Sequence, residues 1–288
     1  MTRTKATLIG FSAVLLWALL ALFTVGTAPV PPFLLNALCF GIGGALGVVW
    51  LAVTGGFAAL RAVSWKVYVA GTIALFGYHA LYFTALRMAP AAEASLIAYL
   101  WPLFIVLLSG MLPGEKLRLL HLVGAALAFA GAALIVLRGG ASFDAAALPG
   151  LGLAFLCAIT WALYSVASRA WGTVPTAAVV VYCLATAVLS AGVHLLIEDR
   201  LWPVDATGWA SVIGLGLGPV GLAFFTWDVG MKRGDIQLLG VASYAAPLLS
   251  TLALIAAGRA TASPTLLVAA LLITGGALLA ARASLAKS

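Results

Sequence analysis

Charge is what this sequence has least of. Of 288 residues only 15 are Lys or Arg and 8 are Asp or Glu, 8% in all, where soluble domains carry about 25%. A surface so poor in charge cannot be solvated by water, which excludes a soluble globular fold. Cysteine is scarce too. Cys39, Cys157 and Cys183 sit inside apolar stretches with no CxxC spacing, so neither a disulfide framework nor a metal or redox site is expected, and the three read as packing residues. No GxxxxGK[ST] occurs and no glycine-rich run follows a strand pattern, leaving no phosphate-binding loop and no cofactor to expect. What is abundant is apolar: 64% hydrophobic residues and a mean hydropathy of +1.17. An all-α polytopic membrane protein is the class that remains.

The positions of the few charges divide the chain. Uncharged runs cover 6–60, 67–86, 94–114, 119–137, 145–168, 170–197, 206–227, 236–258 and 260–281. Crossing the hydrocarbon takes about 20 helical residues, and eight of the runs have roughly that length. The first, of 55 residues, divides at the Pro-rich turn TAPVPP (27–32). Ten transmembrane helices follow. A cleaved signal peptide is the rival reading of Arg3, Lys5 and the apolar run after them; the repeat described below includes this segment, so it is read as a permanent first helix. With both termini in the cytoplasm, the inner side receives Arg3, Lys5, Arg61, Lys66, Lys116, Arg118, Arg169, Lys232, Arg233, Arg282 and Lys287. The outer side receives Arg87, Arg138, Arg200 and Arg259. Eleven against four is the asymmetry of an inner-membrane protein so oriented. The net charge of +7 therefore sets topology and meets anionic lipid; no nucleic acid is expected as a partner.

The chain also contains itself twice. Trp17-Ala18-Leu19 recurs as Trp161-Ala162-Leu163, Pro31 as Pro175, Gly114 as Gly258, and AALAFAGAAL (125–134) as AALLITGGAL (269–278), all at an offset of 144. Tyr99-x-x-Pro102 recurs as Tyr244-x-x-Pro247 at 145. The halves are 1–144 and 145–288. Each holds five helices, an odd number, so the second enters the membrane inverted, and the charges follow: Arg61 maps onto Asp205, Lys116 and Arg118 onto Ala260 and Ala262. Inverted repeats are an architecture of secondary transporters, with the solute site near the midplane where the halves meet.

The segment from Tyr82 to Val136, with mid-helix Pro102, PGE at 113–115 and Gly124-x6-Gly131, resembles the EamA domain of the drug/metabolite transporter superfamily. The second half matches from Phe225 to Leu279 and departs at Arg259, where the family carries Glu; that position is extracellular here, so the acid's cytoplasmic role does not carry over. Within the superfamily, FGYHALYFTAL (76–86) and LIAYLWPLF (96–104) are similar to the YddG-type aromatic amino-acid exporters. The resemblance implies an exporter, not an enzyme.

Candidate site residues are aromatic. Trp50, Trp65, Trp171, Trp202, Trp209 and Trp227 lie near predicted helix ends, where interfacial belts place tryptophan. Trp17, Trp101 and Trp161 are mid-helix, and a buried indole N–H there needs a partner or a water-filled cavity. Tyr78, His79 and Tyr82 share or border one helix face, whereas their repeat counterparts Val220, Gly221 and Phe224 are apolar or small. Pro102 and Pro247 interrupt the fourth and ninth helices as candidate hinges, each freeing the carbonyl four residues earlier, Ala98 or Ser243, with Tyr99 and Tyr244 beside the breaks. Gly43-x3-Gly47 and Gly214-x3-Gly218 read as close helix packing.

Predicted helix centres contain no Lys, Arg, Asp or Glu; Glu93, Asp228, Arg87 and Arg169 fall near ends. His79 is the ionisable group expected to lie deep. The substrate this suggests is overall neutral: a zwitterion whose side chain stacks on indole and phenol rings. The leading function is an exporter of aromatic or other hydrophobic amino acids by alternating access, running down the solute gradient. The alternative is a broad-specificity metabolite or drug exporter, proton-coupled through His79. A membrane-embedded enzyme needs a nucleophile–base or metal constellation, which three dispersed His with no facing carboxylate do not supply; a channel is disfavoured by the inverted repeat.

Overall fold

The computed structural model describes residues 1–137, 144–258 and 260–285, so the expectations placed on Arg138, Arg259 and Lys287 fall outside the described residues. Among those described, ten helices are long and apolar enough to cross a membrane: Arg3–Gly26, Pro32–Thr54, Trp65–Met88, Ala91–Ser109, Leu119–Val136, Ala145–Ala170, Ala178–Ile197, Ala206–Arg233, Ile236–Ala256 and Pro264–Leu285. They are called the first to tenth spans. The chain is a multi-pass membrane protein of two inverted five-helix repeats. Backbone groups in hydrocarbon must bond within their own segment, and Ala-, Leu- and Val-rich runs of this length satisfy that only as helices.

Local chemistry sets the span ends. Thr2 Oγ1 accepts from the Lys5 N–H at 3.3 Å, Asp205 Oδ1 from Gly208 at 2.7 Å, and Asp235 Oδ1 from Leu238 at 2.9 Å, each an N-cap. Pro32 opens the second span, where the missing N–H is harmless, and Gly55 closes it with φ 68°, a left-handed cap that favours glycine. Small residues then let backbones touch. A Cβ added to Gly10 would lie 2.7 Å from the Gly230 Cα, and one on Gly43 2.7 Å from the Gly221 Cα, so the first and second spans each press directly on the eighth. The fifth and tenth spans, repeat mates, meet at Gly124 and Gly276, where a Cβ on Gly124 would come within 2.5 Å of the Gly276 carbonyl.

Four spans are irregular near their middles. The fourth breaks into Ala91–Ala98 and Trp101–Ser109, the ninth into Ile236–Ala242 and Ala245–Ala256, at the two prolines expected. The sequence reading missed two others. The first span breaks at Leu19, and the eighth carries a π-helical turn over Gly218–Leu222 around Pro219.

Charged groups gather at opposite ends of the bundle. At the end where the chain begins, called the near end, Glu115 pairs with Arg169 and, at 3.3 Å, with Arg3; Arg3 also reaches Asp235 at 3.2 Å. Arg169 Nη1 donates to the carbonyls of Met231 (3.2 Å) and Gly234 (2.9 Å). One network thus ties the first, sixth, eighth and ninth spans to the loop after the fourth. At the far end the Glu198 carboxylate accepts from the Phe33 and Leu34 N–H groups at 3.0–3.1 Å and from Arg87 at 3.1 Å, a carboxylate set against the positive N-terminus of the second span.

Candidate functional site

A cavity of about 380 Å³ opens between the two repeats, within the range of small-molecule sites. Its wall takes Trp17, Leu20, Ala21, Tyr78, His79, Tyr82, Ser95, Ala98, Tyr99 and Trp101 from the first half. From the second come Trp161, Pro219, Val220, Phe224, Ala246, Pro247, Ser250, Thr251 and Leu254. None of these is Lys, Arg, Asp or Glu. The indoles lie mid-span, while Ser95 and Leu254 stand close to the far ends of the fourth and ninth spans, so the cavity occupies the far half. Beneath it lie the tryptophans and then the ion-pair network of the near end.

Of the eight side chains singled out from sequence, Trp17, Tyr78, His79, Tyr82, Tyr99, Trp101 and Trp161 line this cavity. Tyr244 does not. It is fully buried, packs on Phe129 at 5.8 Å, and its hydroxyl accepts from the Leu103 N–H at 3.1 Å. That amide would bond the Tyr99 carbonyl in an unbroken helix; here the tyrosine of one broken span caps the break in its repeat mate. The carbonyls freed by the prolines also part ways. Ser243 is retaken by the Ala246 N–H at 3.1 Å, whereas Ala98 lies on the cavity wall.

The indoles stand edge to face, as ring quadrupoles prefer. Trp17 lies 6.0 Å from both Trp101 and Trp161, and those two are 6.4 Å apart at 88°. Tyr78 stacks on Tyr82 at 6.3 Å and 13° and leans on Trp161 at 5.4 Å. Several polar tips are already engaged. Trp17 Nε1 donates to the Pro219 carbonyl at 3.1 Å, within the π turn; Tyr82 shares a hydrogen bond with Ser95 at 2.9 Å; Thr251 donates to Pro247 at 2.9 Å. His79 Nδ1 is 2.8 Å from the Leu75 carbonyl. A carbonyl only accepts, so Nδ1 carries the proton and Nε2 is the nitrogen left to address the cavity.

Three expectations need correction. Trp227 is no belt residue. It is 1% exposed, lies tilted at 5.0 Å from Trp17 and edge to face at 5.7 Å from Trp101, and donates to Ser165 at 3.1 Å. Its axial position near a span end says nothing of azimuth, and the eighth span turns it inward; Trp50, Trp65, Trp202 and Trp209 are at least 41% exposed. Asp228, one residue on, is likewise buried, accepting from Ser168 (3.1 Å), Thr176 (2.7 Å) and Lys232 (2.8 Å). This is an internal ion pair below the cavity floor. Nor are all three His without a facing carboxylate. His194 Nδ1 lies 3.1 Å from Glu198, one helical turn apart, a spacing the sequence contained. His121 is enclosed, accepting from the Arg118 N–H at 3.1 Å.

Sequence reasoning also missed Phe224, Ser95, Ser250 and Thr251. The last two follow Pro247 by three and four residues and so share its face, a signal that was there to read. Phe224 was passed over as apolar filler, yet it faces Trp161 at 5.6 Å and His79 at 6.2 Å. Among the described residues no group of three His, Cys, Asp or Glu is placed to hold a metal ion.

Two successive units are also what comparison with known proteins finds. The model of the EamA-like transporter family matches twice, over residues 4–137 and 148–282. The chain belongs to the EamA-like transporter family. Among curated relatives, the aromatic amino acid exporter YddG of Ancylobacter novellus is 54% identical over 283 residues, covering 97% of this chain and 98% of that one. The Escherichia coli K12 protein of the same name is 28% identical, with 97% of each chain covered. A crystal structure at 54% identity superposes with a TM-score of 0.92 over 97% of this chain and 98% of the other. The seam between the two family-matched units is where the cavity lies.

Proposed function

We propose that this protein exports aromatic and other hydrophobic amino acids across a bacterial inner membrane, with both termini cytoplasmic. Transport proceeds by alternating access down the solute gradient. The observation that carries the reading is the cavity itself: about 380 Å³, walled by indole, phenol and imidazole rings, with no Lys, Arg, Asp or Glu in its lining. A solute with net charge would meet no countercharge there, and desolvating it would be costly. A zwitterion with an aromatic side chain is neutral overall and gains ring–ring contacts. The names of the relatives agree. In this reading Trp17, Tyr78, His79, Tyr82, Tyr99, Trp101 and Trp161 contact the solute. Tyr244, placed outside the wall, is a positioning residue for the fourth-span break. The halves 1–144 and 145–288 rock about Pro102 and Pro247. The protein is a carrier and performs no covalent chemistry.

Each added aromatic contact is worth about 0.5–1.5 kcal/mol beyond its area, roughly a 2- to 12-fold change in affinity. Counterflow of labelled phenylalanine in proteoliposomes, competed with each of the twenty amino acids, tests the proposal. Phenylalanine, tyrosine and tryptophan are expected to compete best, and Trp101→Ala to weaken them much more than alanine or glycine. Equal competition by many unrelated metabolites would make the aromatics a nonspecific apolar wall and favour a broad-specificity exporter.

A further inference from the structure

The polar groups of the cavity wall divide by whether the protein already satisfies them. Trp17 on the wall and Trp227 beneath it carry the same donor and both are engaged, on the Pro219 carbonyl and the Ser165 hydroxyl. Trp101 and Trp161 are not. These rings are 7% and 3% exposed, both on the cavity wall, and neither indole N–H has a protein acceptor among the described residues. Neither nitrogen is sealed in the interior, so the space each reaches is the cavity. A donor in an apolar wall left without a protein partner is unfavourable until an acceptor reaches it. Two such groups on rings 6.4 Å apart are donors awaiting an acceptor.

We infer that Trp101 and Trp161 form the subsite for the carboxylate of the transported amino acid, an anion site built from neutral donors alone. The inference rests on the cavity being the amino-acid site. Hydrogen bonds to an ionised acceptor are roughly twice as strong as neutral ones, and a low-dielectric wall strengthens them further. No guanidinium or ammonium is needed, because the ammonium of the zwitterion neutralises the charge from within the ligand. The same rings give the solute's side chain its faces and its carboxylate their edges. Trp17, with its N–H held by the π turn, supplies only a face. Three chemically identical rings therefore do two different things.

The test is a ligand–variant cycle in proteoliposomes, reading inhibition of labelled-phenylalanine counterflow by unlabelled phenylalanine and by phenylalaninamide, which keeps the ring and the amine but lacks the carboxylate. Wild-type protein is expected to prefer phenylalanine by roughly 10- to 100-fold or more, 10- to 100-fold being the worth of one hydrogen bond to a charged group. Trp101→Phe and Trp161→Phe each keep a ring and lose the N–H; each is expected to shrink that preference, and the double variant to abolish it. Trp17→Phe should lower affinity for both ligands by one common factor, leaving the preference intact. Phenylalanine competing with no advantage over its amide in the wild type would overturn the subsite without any variant having to fold, and would leave the proposed function standing. An unchanged preference in both single variants would overturn it equally. Failure of every amino acid to compete would sink the functional reading and the subsite together.

Discussion

Replacing Glu115 by Gln removes the charge on which the near-end network converges. In alternating access the near end must open, and opening must separate Glu115 on the loop after the fourth span from Arg169 on the sixth. The Glu115 side chain is 5% exposed and that of Arg169 18%, whereas Arg3 is 44% exposed. The Arg169 pair therefore carries most of the effect, since exposed pairs such as Arg3–Glu115 contribute about 0–1 kcal/mol. Arg169 would keep the Met231 and Gly234 carbonyls, so the loss is that of a charge-assisted hydrogen bond, about 1.5–3 kcal/mol, rather than that of a stranded buried charge. The repeat makes this loss one-sided. At its offsets of 144 and 145, Arg3, Glu115, Arg169 and Asp235 correspond to Ala147, Arg259, Val25 and Pro90, a set with no acid, so the same positions can form no ion pair when the far end closes. The equilibrium should shift toward the near-open state by roughly 10- to 100-fold. Val14, fully buried one turn from Trp17 toward the near end, reports it. In a background lacking the three native Cys, Val14→Cys should react with an impermeant thiol reagent from the near side about that much faster when Glu115→Gln is added. An unchanged rate, in both Glu115→Gln and Arg169→Gln, would show that the network does not hold this end shut.

Three further outcomes are expected. Single Cys at Ser142 and at Thr173 should label from opposite sides of the membrane, Ser142 from outside; labelling of both from one side would remove the inverted repeat. Trp227→Ala should lower thermal stability far more than Trp65→Ala, since Trp227 is 1% exposed and Trp65 69% and truncating a buried Trp costs about 3–5 kcal/mol; equal melting temperatures would return Trp227 to the interfacial belt. His79→Gln keeps a donor and an acceptor but cannot titrate, so downhill exchange of phenylalanine should survive and an imposed pH gradient should drive no accumulation in the wild type; uphill accumulation lost only in His79→Gln would make His79 a proton carrier.

The ten spans, their inversion and the two proline breaks were legible in the chain because each is a local property. A run of apolar residues long enough to cross, an odd helix count per repeat, and a missing N–H at Pro102 and Pro247 act where they stand. The aromatic wall was legible for a related reason: polar tips within the spans have few places to go but a cavity, and seven of the eight side chains singled out line it. The break at Leu19 was not, since no Pro or Gly marks it, whereas the turn at Gly218–Leu222 surrounds Pro219, a local signal the sequence did contain.

What only the tertiary structure decided is direction and partnership. Depth along a helix is written in the sequence, but azimuth is set by which neighbour packs on it. So Trp227 and Asp228, placed near a span end, turn inward onto the first, fourth and sixth spans, while Trp209 stays exposed. Tyr244 and Tyr99 are symmetric in sequence, yet one caps its mate's broken helix and the other faces the cavity. Trp17, Trp101 and Trp161 are the same residue in the same kind of position. That the first has an engaged N–H and the other two do not follows from where the Pro219 carbonyl lies, a relation between atoms distant in sequence that no spacing encodes.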